Sequence, residues 1–377
     1  MRKKRRYEWR ALVEFATALL EQAGVEAEKA EVTVEGLVAA DAMGHSTHGL
    51  ALLPRYLEEI VAGSMACAGL PEIVVDREAA QVWDGQRLPG LWLAARALGE
   101  AAKRAVRLGT ASVVIRRSHH LGALAALLAG EADAGRMALV TCSDPSARQV
   151  APFGGIDPVL TPDPLAAVIP TDDGPILIDI STSITTAAMT SRLAAEGRRF
   201  PGPWAVDGSG APTDDPGIFD AHPPGALLPI GGLDHGHKGF ALGLLVEALT
   251  QGLSGYGRAD GETRWGASVY VQVWDPTCYG GLASFRRQTG CLAAACRASR
   301  PRDPLEPMRL PGERAFEKLA NAKADGVGLY PGIMPDLERL AGEWGVRAPP
   351  PVSLARPLSQ ARFGRASPGG SAGADPG

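Results

Sequence analysis

The stretch from Val113 to Gly155 constrains the fold more than any other part of the chain. It opens on a β-branched run, Val113-Val114-Ile115, and passes into the polar turn Ser118-His119-His120. An Ala/Leu-rich segment then predicts a helix that stops at Gly135, and a second apolar run predicts a strand ending at Thr141-Cys142-Ser143. Strand, helix and strand within about thirty residues is the βαβ pattern of a parallel sheet. Ligands in such sheets gather at the carboxyl ends of the strands. Two histidines fall at one such end and Ser143 at the other, so the chemistry is expected there.

The flanking sequence predicts helices and short strands around that core. Residues 8–23 put Leu12, Phe15, Ala16, Leu19 and Leu20 on one helical face, and Glu26 to Met43 continues as a second helix. LALLPRYLEEIVAG (residues 50–63) reads as a helix broken near Pro54, and residues 90–108 as a long one closed by Gly109. Strands are expected at Ile73–Val75, Leu165–Ile169, Ile176–Ile180 and Val269–Trp274. Residues 200–235 are rich in Gly, Pro and Asp and predict a long functional loop. Helices are expected from Lys238 to Gly252, from Leu310 to Gly326 and from Pro335 to Trp344. Ser, Gly, Ala and Pro dominate from Pro357 onward, so residues 357–377 predict a disordered tail.

Composition removes several classes of function. A net charge of −4 lacks the basic excess of a nucleic-acid binder. No run of eighteen apolar residues predicts a membrane span. Arg2-Lys3-Lys4-Arg5-Arg6 resembles the start of a signal peptide, but an amphipathic helix containing Glu14 and Glu21 follows it. Five cysteines form no Cys-x-x-Cys pair and predict neither zinc nor a disulfide framework. The expectation is a soluble cytoplasmic protein acting on a small molecule, with no nucleic-acid or membrane partner.

His120, at a strand-to-helix junction, is a candidate for proton transfer, because imidazole titrates near neutrality. His48, beside the Thr47 hydroxyl, is a second. His45, His119 and His222 have no supporting context. The histidine spacing fits no metal-ligand motif, so no metal is expected. No Gly-x-Gly-x-x-Gly follows a strand, so a dinucleotide would bind outside a Rossmann fingerprint. Lys238, opening a small-residue helix, is placed to meet a phosphate.

Taken in order, these motifs resemble the malate/L-lactate dehydrogenase family of the sulfolactate-dehydrogenase type. That family includes ureidoglycolate and diketogulonate dehydrogenases and cyclic imino acid reductases. Thr47-His48-Gly49 with Leu53-Pro54-Arg55-Tyr56 is similar to its Ser-His-Gly … Leu-Pro-x-Tyr pattern, and Ser118-His119-His120-Leu121-Gly122 to its Ser-Asn-His-x-Gly. Ala151-Pro152-Phe153-Gly154-Gly155, Asp179-Ile180-Ser181-Thr182-Ser183, Gly236-His237-Lys238-Gly239 and Pro311-Gly312-Glu313 follow in family order.

The resemblance implies an α/β, sulfolactate-dehydrogenase-like fold with a non-Rossmann dinucleotide-binding domain and a helical N-terminal region. Residues 1–80 would pack with 150–350. Residues 81–149, with part of the central segment, would form the cofactor domain. NAD or NADP would be the cofactor and a homodimer the assembly. His120 would be the acid/base, with His48 and Thr47 beside it and Tyr56 on the substrate side. Ser143, Asp179, Ile180, Ser181 and Lys238 would contact the cofactor.

Two departures bear on the substrate-binding positions: Leu52 stands where relatives carry an arginine, and Met189 where they carry lysine or aspartate. Losing a bidentate guanidinium removes a favoured carboxylate partner, so a less charged or bulkier substrate than malate or sulfolactate is expected. The leading activity is hydride transfer between nicotinamide and a 2-hydroxy/2-keto acid. A ketimine (cyclic imino acid) reductase is the alternative, and a catalytically inactive cofactor-binding relative a third reading.

Overall fold

The computed structural model describes residues 5–352; the tail expected over 357–377 lies outside them. The chain begins with β1 (Arg6–Tyr7), α1 (Trp9–Gln22) and α2 (Ala27–Met43). Glu8 starts α1 by accepting the Arg10 and Ala11 amides at 3.0 and 2.7 Å, which fills donors that a helix start leaves open. The face buried by α1 includes all five residues that the spacing selects. A 3₁₀ turn over Leu50–Leu52 leads into α3 (Leu53–Val61). Pro54 sits in the first turn of α3, where its missing amide costs no hydrogen bond, so it starts this helix rather than breaking it.

β2 (Glu72–Arg77) and β3 (Ala80–Asp84) precede α4 (Gly90–Leu108) and β4 (Thr110–Ser118). The Ala/Leu-rich segment then falls short of the helix expected. It makes a 3₁₀ turn at Leu124–Leu127 and the five-residue α5 (Ala129–Asp133) before β5 (Met137–Ser143). β6 (Leu165–Ile169), β7 (Ile176–Ile180) and α6 (Ala187–Ala195) follow. The Gly/Pro-rich region is not bare loop: β8 (Ala205–Val206), β9 (Pro212–Thr213) and β10 (Ala226–Leu227) form a small antiparallel sheet. α7 (Gly232–His235) and α8 (His237–Glu247) come next, and α8 runs on as a π-helical turn to Gly252. β11 (Ala267–Trp274) is followed by α9 (Leu282–Ala298), a helix that periodicity does not reveal because Ala293 is its one buried residue. α10 (Glu313–Asp325), β12 (Val327–Gly328) and α11 (Ile333–Trp344) close the described chain.

The main sheet has seven strands in the order β2-β3-β4-β11-β5-β6-β7. It corrects the parallel βαβ expectation. β4 and β5 run in the same direction but do not touch, because β11 lies antiparallel between them. Val271 pairs with Val113 on one side and Val140 on the other. Among the described strands, β3 and β4 alone pair in parallel. Val113, Ile115, Val140, Val271 and Val273 are buried, and the alanine-rich face of α4 packs with them in one core. A second core joins α1, α2 and α3 to Ala322 of α10 and to Leu337 and Ala341 of α11. No helix among the described residues is long and apolar enough to cross a membrane. The consequence for the site is that the carboxyl ends of β4 and β5 flank the start of β11, Ser118 opposite Ala267 and Ser143 opposite Ser268.

Candidate active site

The loop carrying His48 is held from two sides. Asp41, buried near the end of α2, accepts the Leu50 amide at 2.7 Å. Its other carboxyl oxygen has no partner among the described residues, and burial pushes the group up to about 7. Arg192 of α6 donates to the Ser46 hydroxyl at 2.8 Å and to the Ser46 carbonyl at 2.9 Å, while its guanidinium lies 4.0 Å from the centre of the Tyr330 ring. Within this loop the Thr47 hydroxyl lies 2.8 Å from Nδ1 of His48. Burial, reinforced by His45 and Arg192, pushes the His48 imidazole down to about 4.

His119 and His120 form the turn after β4, and two glycines let backbone meet backbone around them. A Cβ on Gly90 would lie 2.1 Å from the His119 carbonyl oxygen. One on Gly122, whose φ is +61°, would lie 3.0 Å from that of His48. Nδ1 of His120 accepts the Gly122 amide at 3.1 Å. The Tyr56 hydroxyl sits 3.0 Å from the same nitrogen and 3.3 Å from the His120 carbonyl oxygen. A ring nitrogen that accepts an amide proton carries none itself, so the neutral His120 ring holds its proton on Nε2. Burial, with His48 and His119 nearby, keeps this imidazole well below its ordinary range. The His48 and His120 rings stack with centroids 6.1 Å apart. His119 is fully buried, with both ring nitrogens unpartnered among the described residues and Glu59 3.7 Å away. Burial pushes it down to about 3.

His48 and His120 open onto a cleft of about 860 Å³. His45, His48, Leu52, His120, Ser143, Asp179 and Ser181 line it; of these, His45 alone stands outside the residues that the sequence motifs single out. His45 lies 3.7 Å from Asp179, whose carboxyl is raised by burial against the opposing pull of that histidine. Ser143 turns its hydroxyl inward, 2.7 Å from the Thr250 hydroxyl and 3.0 Å from the Gln251 amide nitrogen. Tyr56 is buried behind His120. Ile180, Met189 and Lys238 are exposed and do not line this cleft. The first turn of α6 does: Thr186 caps the helix through the Met189 amide at 3.2 Å, and Ala187 and Ala188 face the opening.

Among the lining residues to which the motifs give no role are Arg55, Glu59 and Trp265. The Trp265 indole stacks with His120 at 4.7 Å between centroids and carries the Arg55 guanidinium 3.7 Å from its own centre. Arg87 anchors Trp265 by donating to its carbonyl at 2.6 Å. Arg55 lies three residues after Leu52, one helical turn, and that spacing was the available signal.

The family model for malate/L-lactate dehydrogenase matches residues 7–338. A malate dehydrogenase of Pyrococcus horikoshii is 29% identical over 346 residues, covering 89% of this chain and 94% of the relative. An L-lactate dehydrogenase of Cupriavidus necator is 31% identical over 343 residues, covering 89% and 97%. The crystal structure of a malate dehydrogenase from Entamoeba histolytica superposes with a TM-score of 0.85 at 23% identity, over 92% of this chain and 99% of that one, which shows the shared fold. With a mixed α/β sheet, the histidine-lined cleft and a match along nearly the whole described chain, this protein belongs to the malate/L-lactate dehydrogenase family, a family of pyridine-nucleotide oxidoreductases.

Proposed function

We propose that the cleft binds NAD(H) or NADP(H) and catalyses hydride transfer between the nicotinamide and C2 of a 2-hydroxy/2-oxo acid. The observation that supports this most is the His120 ring, fixed with its proton on Nε2 and stacked beside His48 at the carboxyl ends of β4 and β5. A cleft of about 860 Å³ fits a dinucleotide together with a small acid. The open amides at the start of α6 suit a pyrophosphate, and Asp179 and Ser181 suit ribose hydroxyls. When bound, the cofactor supplies the hydride.

The residues of the chain do the rest. His120 directs Nε2–H at the carbonyl oxygen, where negative charge develops. Reduction also consumes a proton. Burial keeps both imidazoles neutral near neutral pH, and an entering carboxylate favours the cation. His48 accommodates that proton best, because the Thr47 hydroxyl on its Nδ1 can either donate or accept. His120 would lose the Gly122 amide if its Nδ1 were protonated.

The reading extends to a homodimer. α8 turns Leu244 and Leu245 outward, 49% and 51% exposed, with Leu242 beside them, an apolar face of the kind that marks an interface.

The test follows NADH and NADPH oxidation against a panel of 2-oxo acids and cyclic imines. His120→Ala should lose about 10²- to 10⁴-fold in kcat while still binding cofactor. Reduction at limiting substrate should slow steadily as pH rises from 5 to 9, and His48→Ala should flatten that slope. Undiminished turnover by His120→Ala would remove the residue from the reaction.

A further inference from the structure

Two arginines line the cleft, Arg55 and Arg264. Arg264 is already engaged: its Nε and one terminal nitrogen reach the two oxygens of Glu262 at 3.0 and 3.1 Å. Arg55 has a distant ionic contact, 3.9 Å from Glu59, and its side chain is 53% exposed. Its guanidinium is instead laid on Trp265, 3.7 Å from the ring centre, and the same indole stacks with His120. One aromatic ring thus sets the relative position of a cation and of the Nε2–H donor. A planar guanidinium so stacked keeps its in-plane N–H groups free for a carboxylate. A 2-oxo acid carries its carboxylate on the carbon next to the carbonyl, so one molecule can address both donors.

Apart from the histidines, the remaining charged side chains that line the cleft are acidic. Glu59, Asp144 and Asp179 line it, and Leu52, Ala187 and Ala188 add apolar wall. A second substrate carboxylate would find acidic neighbours and no second free guanidinium among the described lining residues.

We infer that Arg55, held flat on Trp265, binds the carboxylate of the substrate and that the cleft selects 2-oxo acids with one carboxylate and an uncharged side chain. This rests on the hydride-transfer reading above and adds to it the anchoring residue and the substrate class. Arg55 thereby supplies, one turn along α3, the cation that Leu52 lacks.

The experiment compares wild type, Arg55→Gln and Arg55→Lys on pyruvate, 2-oxobutyrate, their carboxamides and oxaloacetate. Oxamate binding in the presence of reduced cofactor is measured by calorimetry, and thermal melts check that each variant is folded. Arg55→Gln should raise KM for the monocarboxylates and weaken oxamate roughly 30- to 100-fold, with a much smaller change in kcat. Arg55→Lys should recover part of that loss. The carboxamides should be poor substrates whose kinetics barely respond to either change. Wild type should prefer 2-oxobutyrate to oxaloacetate by at least about tenfold. Equal losses on acids and amides, or a preference for oxaloacetate, would overturn this inference and leave hydride transfer standing. A wild-type enzyme that reduces nothing on the panel would overturn the hydride-transfer reading and this inference together.

Discussion

Asp41 shows how single buried groups in this site trade stability against position. Its carboxyl titrates at about 7 in the fold against 3.8 when free, so the native state holds more protons than the unfolded chain between those values. Stability therefore falls as pH rises through that window, and the full loss is present above it. His48 and His119 act with the opposite sign. Their native values of about 4 and about 3 lie below the ordinary 6.5, so stability falls as pH drops below that value. Asp41→Asn keeps an acceptor for the Leu50 amide and removes the charge. Each tenfold change in proton affinity on folding is worth about 1.4 kcal/mol. The substitution should therefore stabilise the protein by on the order of 2–4 kcal/mol at pH 8 and by little at pH 4. Denaturant melts at the two pH values measure this, and equal changes in stability would show that the carboxyl is not held protonated. The same scale marks where sequence reading stops. Leu52 reads as the loss of a cation, while Arg55 fills the cleft from one turn away, a relation that depends on helix phase and on Trp265 arriving from a distant segment.

At the scale of elements, α6 and the His48 loop behave as one unit because Arg192 joins them with two hydrogen bonds. Arg192→Met should keep part of the side chain's packing on Tyr330, without the cation, but release Ser46. We expect kcat to fall about 10- to 100-fold, the scale set by a misplacement of about 1 Å, with a smaller change in cofactor affinity. Steady-state kinetics beside cofactor titration separate the two, and unchanged kcat would mean that the loop holds its shape without the clamp. Helices with a continuous apolar stripe were legible in the sequence, as α1, α2 and α4 show. Those whose burial is slight were not: α9 hides one alanine, and its small apolar residues spread around the helix instead of forming a stripe. The segment after His120 misleads in the other direction, since its alanines and leucines fill the core as a 3₁₀ turn and the short α5 rather than as one long helix. His48, His120, Asp179 and Ser181 stand in sequence motifs and line the cleft. Nothing local could place Lys238 or Met189 outside the cleft, because that depends on how α8 and α6 are turned.

For the whole molecule, the outward leucines of α8 make the proposed homodimer testable. Light scattering should give twice the chain mass for the wild type, and Leu244→Glu with Leu245→Glu should give a monomer. A wild-type monomer at micromolar concentration would end that proposal. The sheet itself has a consequence for how this protein comes into being. β11 fills the gap between β4 and β5, and it is encoded far downstream of both. Until Ala267–Trp274 leaves the ribosome, β4 and β5 each lack the partner that joins them in the finished sheet. Pairings over such a separation close slowly, and bare edges attract the wrong strands while they wait.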